Sequence, residues 1–132
     1  MIAIIPTAAA IANAVTAARA SDLVVVTTNN AYGFNPDTGQ PTAAAVAQTA
    51  LVRALLATGT PVVAVAVRNP YDVASFPAAP TVLDTYGYTA HQMDSLVRVM
   101  FGELEPTGKL PVSIPRADGT GDLFPFGHGL GY

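Results

Sequence analysis

The side chains best suited to chemistry follow apolar runs. Arg68-Asn69-Pro70-Tyr71-Asp72 comes directly after Pro61 to Val67 and sets a guanidinium, an amide, a phenol and a carboxylate close together. A guanidinium leaving such a run needs a carboxylate or several carbonyls, and Asp72 is near enough in sequence to be that partner. Asn29 and Asn30 follow a second run, Leu23 to Thr27, and Tyr86, Tyr88 and Thr89 close a third that starts at Val82. Grouped on one rim, these residues suit a sugar, whose hydroxyls take paired donors and acceptors while its C–H face lies on an aromatic ring. Turns and helix starts use the same residue types, so each position also has a purely structural reading.

Carboxylate or imidazole chemistry has fewer candidates. Asp37 lies in Asn29 to Gln40, a Gly- and Pro-containing stretch without glutamate, where a short aspartate is foremost a turn former. Glu103 and Glu105 flank a helix end and Pro106, as solvated surface charge does. His91 and His128 are the only histidines. His128 has no histidine, cysteine or carboxylate at ligand spacing, which favours a buried hydrogen-bonding role over catalysis or metal binding. Gly127-x-Gly129-x-Gly131 opens no helix, so it is not read as a nucleotide loop. No metal or organic cofactor is implied.

These residues need a scaffold. The 132 residues suit one domain, with 51% hydrophobic residues and only 11% charged, a balance that excludes a solvated disordered chain and points to extensive buried surface or a large partner. A net charge of −3 with scattered basic residues leaves no footprint for nucleic acid. Without cysteine there is neither a disulfide framework nor a thiolate metal site. No apolar run approaches the roughly 20 residues of a membrane span. Met1 to Ala20 superficially resembles a secretory signal but has no basic start, and a structural helix is the reading adopted.

Thr7 caps a helix over about Ala8 to Arg19, and Leu23 to Thr27 is a strand. A second helix, Ala43 to Ala57, is expected to bury Val46, Ala50, Leu51, Ala54 and Leu55 and to stop at Gly59. Val62 to Val67, apolar throughout, reads as a strand covered on both faces. After a strand at Val82 to Tyr86, a third helix capped by Thr89 carries Met93, Leu96, Val97, Met100 and Phe101 as core positions. Val112 to Ile114 is a last short strand. Alternating elements of this kind predict an α/β fold, a mostly parallel sheet flanked by helices on both faces as a three-layer sandwich. Phe124, Phe126, His128, Leu130 and Tyr132 alternate with Pro or Gly, predicting an extended apolar strap with the glycines allowing close approach.

Gly108-Lys109-Leu110-Pro111-Val112-Ser113-Ile114-Pro115 together with Phe124-Pro125-Phe126-Gly127-His128-Gly129-Leu130-Gly131-Tyr132 resembles the end of the second, C-terminal domain of glycoside hydrolase family 3. Pro61 to Asp72 and Phe101 to Pro111 are similar to its two-domain beta-N-acetylglucosaminidase branch. The resemblance implies that residues 1–132 form one such domain, that the sheet is truncated at its N-terminal side, with Ile2 to Ile5 a remnant or short strand, and that the preceding (β/α)8 barrel is absent. That barrel supplies the nucleophilic aspartate of the family. In the beta-glucosidase branch the second domain adds a glutamic acid from the loop after the first strand; that loop here offers only Asp37.

The implied function is therefore auxiliary: packing on a catalytic barrel of the same polypeptide and bordering the pocket of a retaining glycosidase for beta-linked N-acetylglucosamine. The chain alone lacks the nucleophile, and Asp37 is the one remaining candidate for a general acid, a role its turn-forming setting argues against. Asn29, Asn30, Arg68, Asn69, Asp72 and Tyr86 become substrate-binding or barrel-interface residues, while Gly127, His128 and Gly129 are structural. Full-length members of the family are often secreted or associated with the cell envelope. The alternative is a stand-alone module that binds a sugar or a protein without chemistry.

Overall fold

A computed structural model of the protein describes residues 5–131. Helix α1 (Ala8–Arg19) starts where Thr7 Oγ1 accepts the Ala10 N–H at 3.2 Å, and α2 (Ala43–Leu56) where Thr42 Oγ1 accepts the Ala45 N–H at 3.2 Å. Each threonine satisfies one of the amide groups that a helix start leaves unpaired. Helix α3 (Ala90–Met100) is closed differently: Gln92 Oε1 reaches back to the Thr89 N–H at 2.9 Å and to its hydroxyl at 2.8 Å. Gln92 Nε2 also donates to the Thr85 carbonyl at 3.2 Å, tying α3 to the end of the preceding strand.

Three strands, β1 (Val24–Thr28), β2 (Val62–Ala66) and β3 (Thr81–Asp84), form a parallel sheet in the order β1-β2-β3. Register pairs Thr28 with Ala66 and Ala66 with Asp84, so these side chains share a face. On that face Val26, Val62 and Ala64 join the core with Val52 and Leu55 of α2, Ala18 of α1, Phe76 and Ile114. The other face carries Val65, fully buried, and Val25, 44% exposed. β1 forms an edge of the sheet among the described residues. Of the segment Ile2 to Ile5, only Ile5 lies among the described residues, and it is exposed.

Between β2 and β3 the chain makes a 3-10 helix, Pro70–Ser75, that periodicity did not reveal. Beyond α3, β4 (Ile114–Pro115) pairs antiparallel with β5 (Asp122–Phe124). The two glycine-bearing motifs meet here: Leu110 N–H donates to the His128 carbonyl at 2.8 Å, Gly127 N–H to Leu110 at 2.9 Å, and Phe126 N–H to Ser113 Oγ at 3.0 Å. Gly129 lies against the Gly108 carbonyl, where an added Cβ would collide.

Three expectations need correcting. α2 is rotated: Ala45, Gln48, Val52 and Leu55 are buried, and Val46 is 58% exposed. The apolar stripe yields because the polar Gln48 has a partner inside. α3 buries no residue, with Val97 51% and Phe101 77% exposed; periodicity identifies a face that favours cover, and the described chain does not supply it. The strap is not one strand. Gly127, at φ 78°, turns it so that Phe124 and His128 stack while Phe126 and Leu130 are exposed; Tyr132 lies outside the described residues.

Candidate functional site at the carboxyl ends of the strands

Beyond β1 the backbone is held by side chains from elsewhere in the chain. The Asn29 N–H donates to Gln48 Oε1 at 2.7 Å, and Gln48 Nε2 donates to the Asn29 carbonyl at 2.9 Å. One buried amide thus takes the place of a neighbouring strand at a point where β1 has left the sheet. Asn30 then turns through a left-handed conformation, φ 63°, which asparagine tolerates better than most residues. Its Oδ1 accepts from Asn69 Nδ2 at 2.9 Å, and Asn69 Oδ1 in turn accepts the Tyr71 N–H at 3.0 Å, capping the 3-10 helix.

That short helix directs Asp72 inward. The carboxylate is wholly buried, and its Oδ1 accepts the Tyr32 N–H at 3.0 Å. Ser75 Oγ and Thr49 Oγ1 both donate to the Ala31 carbonyl, at 2.9 and 3.4 Å. The segment 29–32 is therefore stitched to α2 and to the 3-10 helix along its length. It presents Tyr32, whose ring meets Phe34 edge-on at 4.9 Å and stacks on Tyr71 at 6.0 Å.

Asn29, Asn30, Asn69 and Asp72 thus come together as one polar rim. Arg68 does not join it. It is exposed, and the sole ion pair among the described residues is Arg98–Glu103 at 3.9 Å. The supposed Arg68–Asp72 pair is corrected on physical grounds: Arg68 lies past the end of β2 where water reaches it, while Asp72 satisfies a backbone amide inside. Tyr86 also stands apart from these four, at φ 55° in the turn after β3 and 44% exposed.

Tyr86 borders a cleft of about 730 Å³ between β3, α3 and the C-terminal segment, lined also by Asp84, His91, Leu96, Phe124 and His128. His128 is half-buried and stacks on Phe124 at 4.6 Å and 20°, so its ring is held by packing where a hydrogen bond was expected. Asp84 escaped the sequence reading. Burial, and next the negative charge of Asp72, push its carboxyl from 3.8 up to about 7. The available signal was an acidic residue at the end of an otherwise apolar strand.

Asp37 is exposed at the tip of a hairpin closed by the Phe34–Pro41 bridge, and its N–H donates to Asn35 Oδ1 at 2.8 Å. This is the turn-forming arrangement. Among the described residues no group of three or more histidine, cysteine or carboxylate side chains is placed to hold a metal ion, and no helix is long and apolar enough to cross a membrane.

Residues 2–132 match the family described as Glycosyl hydrolase family 3 C-terminal domain. A Salmonella typhimurium (strain LT2) protein named "Periplasmic beta-glucosidase" is 29% identical over 159 aligned positions, covering 94% of this chain and 21% of that protein. A Formosa agariphila protein named "Putative beta-xylosidase" is 35% identical over 75 aligned positions, covering 41% of this chain and 10% of that protein. The chain thus spans between 10% and 21% of the length of these relatives.

Proposed function

The chain belongs to the glycosyl hydrolase family 3 C-terminal domain family, and from this we propose that residues 1–132 serve as the auxiliary second domain of a beta-glycosidase. In this reading the domain packs on a (β/α)8 barrel of the same polypeptide, and its strand-end rim borders the sugar pocket. The barrel supplies the nucleophile.

The observation that carries this reading is how the rim is used. Retaining hydrolysis requires two carboxyl groups about 5 Å apart, flanking the scissile bond. Here Asp72 is shut inside against the Tyr32 amide and Asp37 is exposed in its own turn. The rim's hydrogen bonds hold segment 29–32 in place, which serves presentation of a surface and not bond cleavage. Asn30 and Asn69 position that segment; the exposed Arg68 and Tyr86 face the barrel or the sugar.

For the sugar, the proposal is beta-linked N-acetylglucosamine at a non-reducing end, supported by the motif resemblance and by a loop after β1 that has no glutamate. Relatives named for glucose and xylose make the comparison sharp. The test is hydrolysis of aryl beta-glycosides of N-acetylglucosamine, glucose and xylose by the chain alone and by the polypeptide carrying its barrel. No turnover by the chain alone, with N-acetylglucosaminide cleaved fastest by the longer protein, is the expected result. Preference for glucoside or xyloside would overturn the sugar and leave the auxiliary role standing. Turnover by the isolated chain, or tight binding of N-acetylglucosamine to it in calorimetry, would overturn the role itself.

A further inference from the structure

β3 is the other edge of the sheet among the described residues, and the cleft of about 730 Å³ lies along its free side. Five consecutive residues, Thr81 to Thr85, line that cleft. Side chains along a strand alternate between faces, so a space that touches every one of them follows the edge and not a single face. The backbone there is open. Thr85 N–H donates to the Ala66 carbonyl at 3.1 Å, and in a parallel ladder every second residue addresses the same neighbour. Thr81, Leu83 and Thr85 therefore bond towards β2. Val82 and Asp84 turn their N–H and C=O groups outward, where no group among the described residues takes them.

Unpaired edge groups of this kind are a template for a further strand. The walls state what that strand must be. Leu96 and Val99 come from α3, and Leu110, Phe124 and Leu130 from the C-terminal segment, so an occupant between them meets apolar surface from two elements and is itself an apolar run. Asp84 is the one acidic residue lining the cleft, and its Oδ1 is buried without a partner. Lys109 also lines the cleft, but it is exposed and gives its ammonium to the Gly129 carbonyl at 2.9 Å. Opposite charges at facing positions of neighbouring strands attract, which selects a lysine or arginine beside Asp84.

A second copy of the chain has no such segment to offer. Of its six basic residues, Arg19, Arg53 and Arg98 lie in helices, Arg68 leads into the 3-10 helix and Lys109 is held by Gly129. Arg116 closes the β4–β5 turn, its N–H donating to the Gly121 carbonyl at 2.8 Å. The barrel, in the reading proposed above, takes the ends of the strands and not the side of the sheet. We infer that the cleft accepts one extended segment of a separate protein, an apolar run containing a single lysine or arginine, as a fourth strand beside β3. This interaction goes beyond the sugar reading and does not depend on it.

The test uses the 132-residue chain and the fluorescein-labelled peptide Ser-Gly-Val-Ile-Val-Lys-Val-Ile-Gly-Ser at pH 8, where Asp84, raised to about 7, carries its charge. The expected result is one peptide per chain by anisotropy, with the Val82 and Asp84 amide protons slowed in hydrogen exchange when it binds. Exchanging the peptide's lysine for glutamate weakens binding about tenfold, and Asp84→Asn removes that preference. The same peptide N-methylated at its valines and isoleucines cannot donate to the edge and does not bind; this control needs no variant, should Asp84→Asn fail to fold. Equal binding of the methylated peptide overturns the inference, because apolar contact alone then holds it. So do unaltered exchange at Val82 and Asp84, indifference to the lysine, and no binding at millimolar peptide. Slow exchange at both amides without peptide also overturns it, giving the edge to a second copy if the chain self-associates, or to the same polypeptide if only the barrel-carrying protein shows it.

Discussion

Asp84 and Gln48 are the two residues whose environments differ most from what their side chains suggest. With its carboxyl raised from 3.8 to about 7 by burial and by Asp72, folded Asp84 keeps a proton that the unfolded chain releases. The folded state therefore binds more protons between these values. Its contribution is intact below about 4 and is lost as pH rises through 7. Urea denaturation should show stability falling across that window, and Asp84→Asn should flatten the fall and be the more stable protein at pH 8. Gln48→Leu should cost about 2–4 kcal/mol in the same assay, because it leaves both backbone groups of Asn29 without their partner. Neither role was legible in the sequence. Hydrophobic patterning places a glutamine outside and an aspartate at a strand end, and only the meeting of distant segments supplies the reason to bury them. Asn29, Asn30, Asn69 and Asp72 were legible as a group because strand ends converge in a parallel sheet, whereas the partner of each was not: Asp72 bonds to an amide 40 positions away in sequence.

Element starts were the most readable feature, since capping is local chemistry. Thr7 accepts the expected backbone amide, and Thr42 does the same at the start of α2. Thr42→Ala should destabilise by about 1 kcal/mol in urea unfolding. Element faces were less readable. The stripe on α2 was displaced by Gln48, and the stripe on α3 is covered only in part, Met93, Leu96 and Met100 being half-buried and Val97 and Phe101 exposed. This difference gives a direct check: Phe101→Ser should change unfolding free energy by no more than about 0.5 kcal/mol in the isolated chain, as for an exposed side chain, whereas a core phenylalanine would cost about 3–5 kcal/mol on truncation. The 3-10 helix went unseen for a different reason. Its signal is the Asn69 cap and Pro70 at the first position, which also read as a simple turn.

At the scale of the whole molecule, alternation of strands and helices sufficed for the α/β class, because each strand–helix pair leaves a parallel sheet as its natural arrangement. The apolar character was legible too, but not its distribution. Val97, Phe101, Phe126 and Leu130 are all at least half exposed on α3 and the C-terminal segment, a pattern that suits a surface meant for contact. Light scattering on the isolated chain should accordingly report self-association that increases with salt, since a net charge of −3 opposes it only weakly.

The order of the sheet carries a consequence for how the molecule opens. β2 alone among the three strands has a hydrogen-bonded neighbour on both sides, and Ala64, Val65 and Ala66 are inaccessible to water. Fluctuations that peel β1 or β3 away free only the β2 amides bonded to the departing strand and leave the others closed, so the whole set of β2 amides exchanges with deuterium only when the domain unfolds as a unit. Residues 62–66 should thus be the last to exchange, and their rate reports the global stability of the chain.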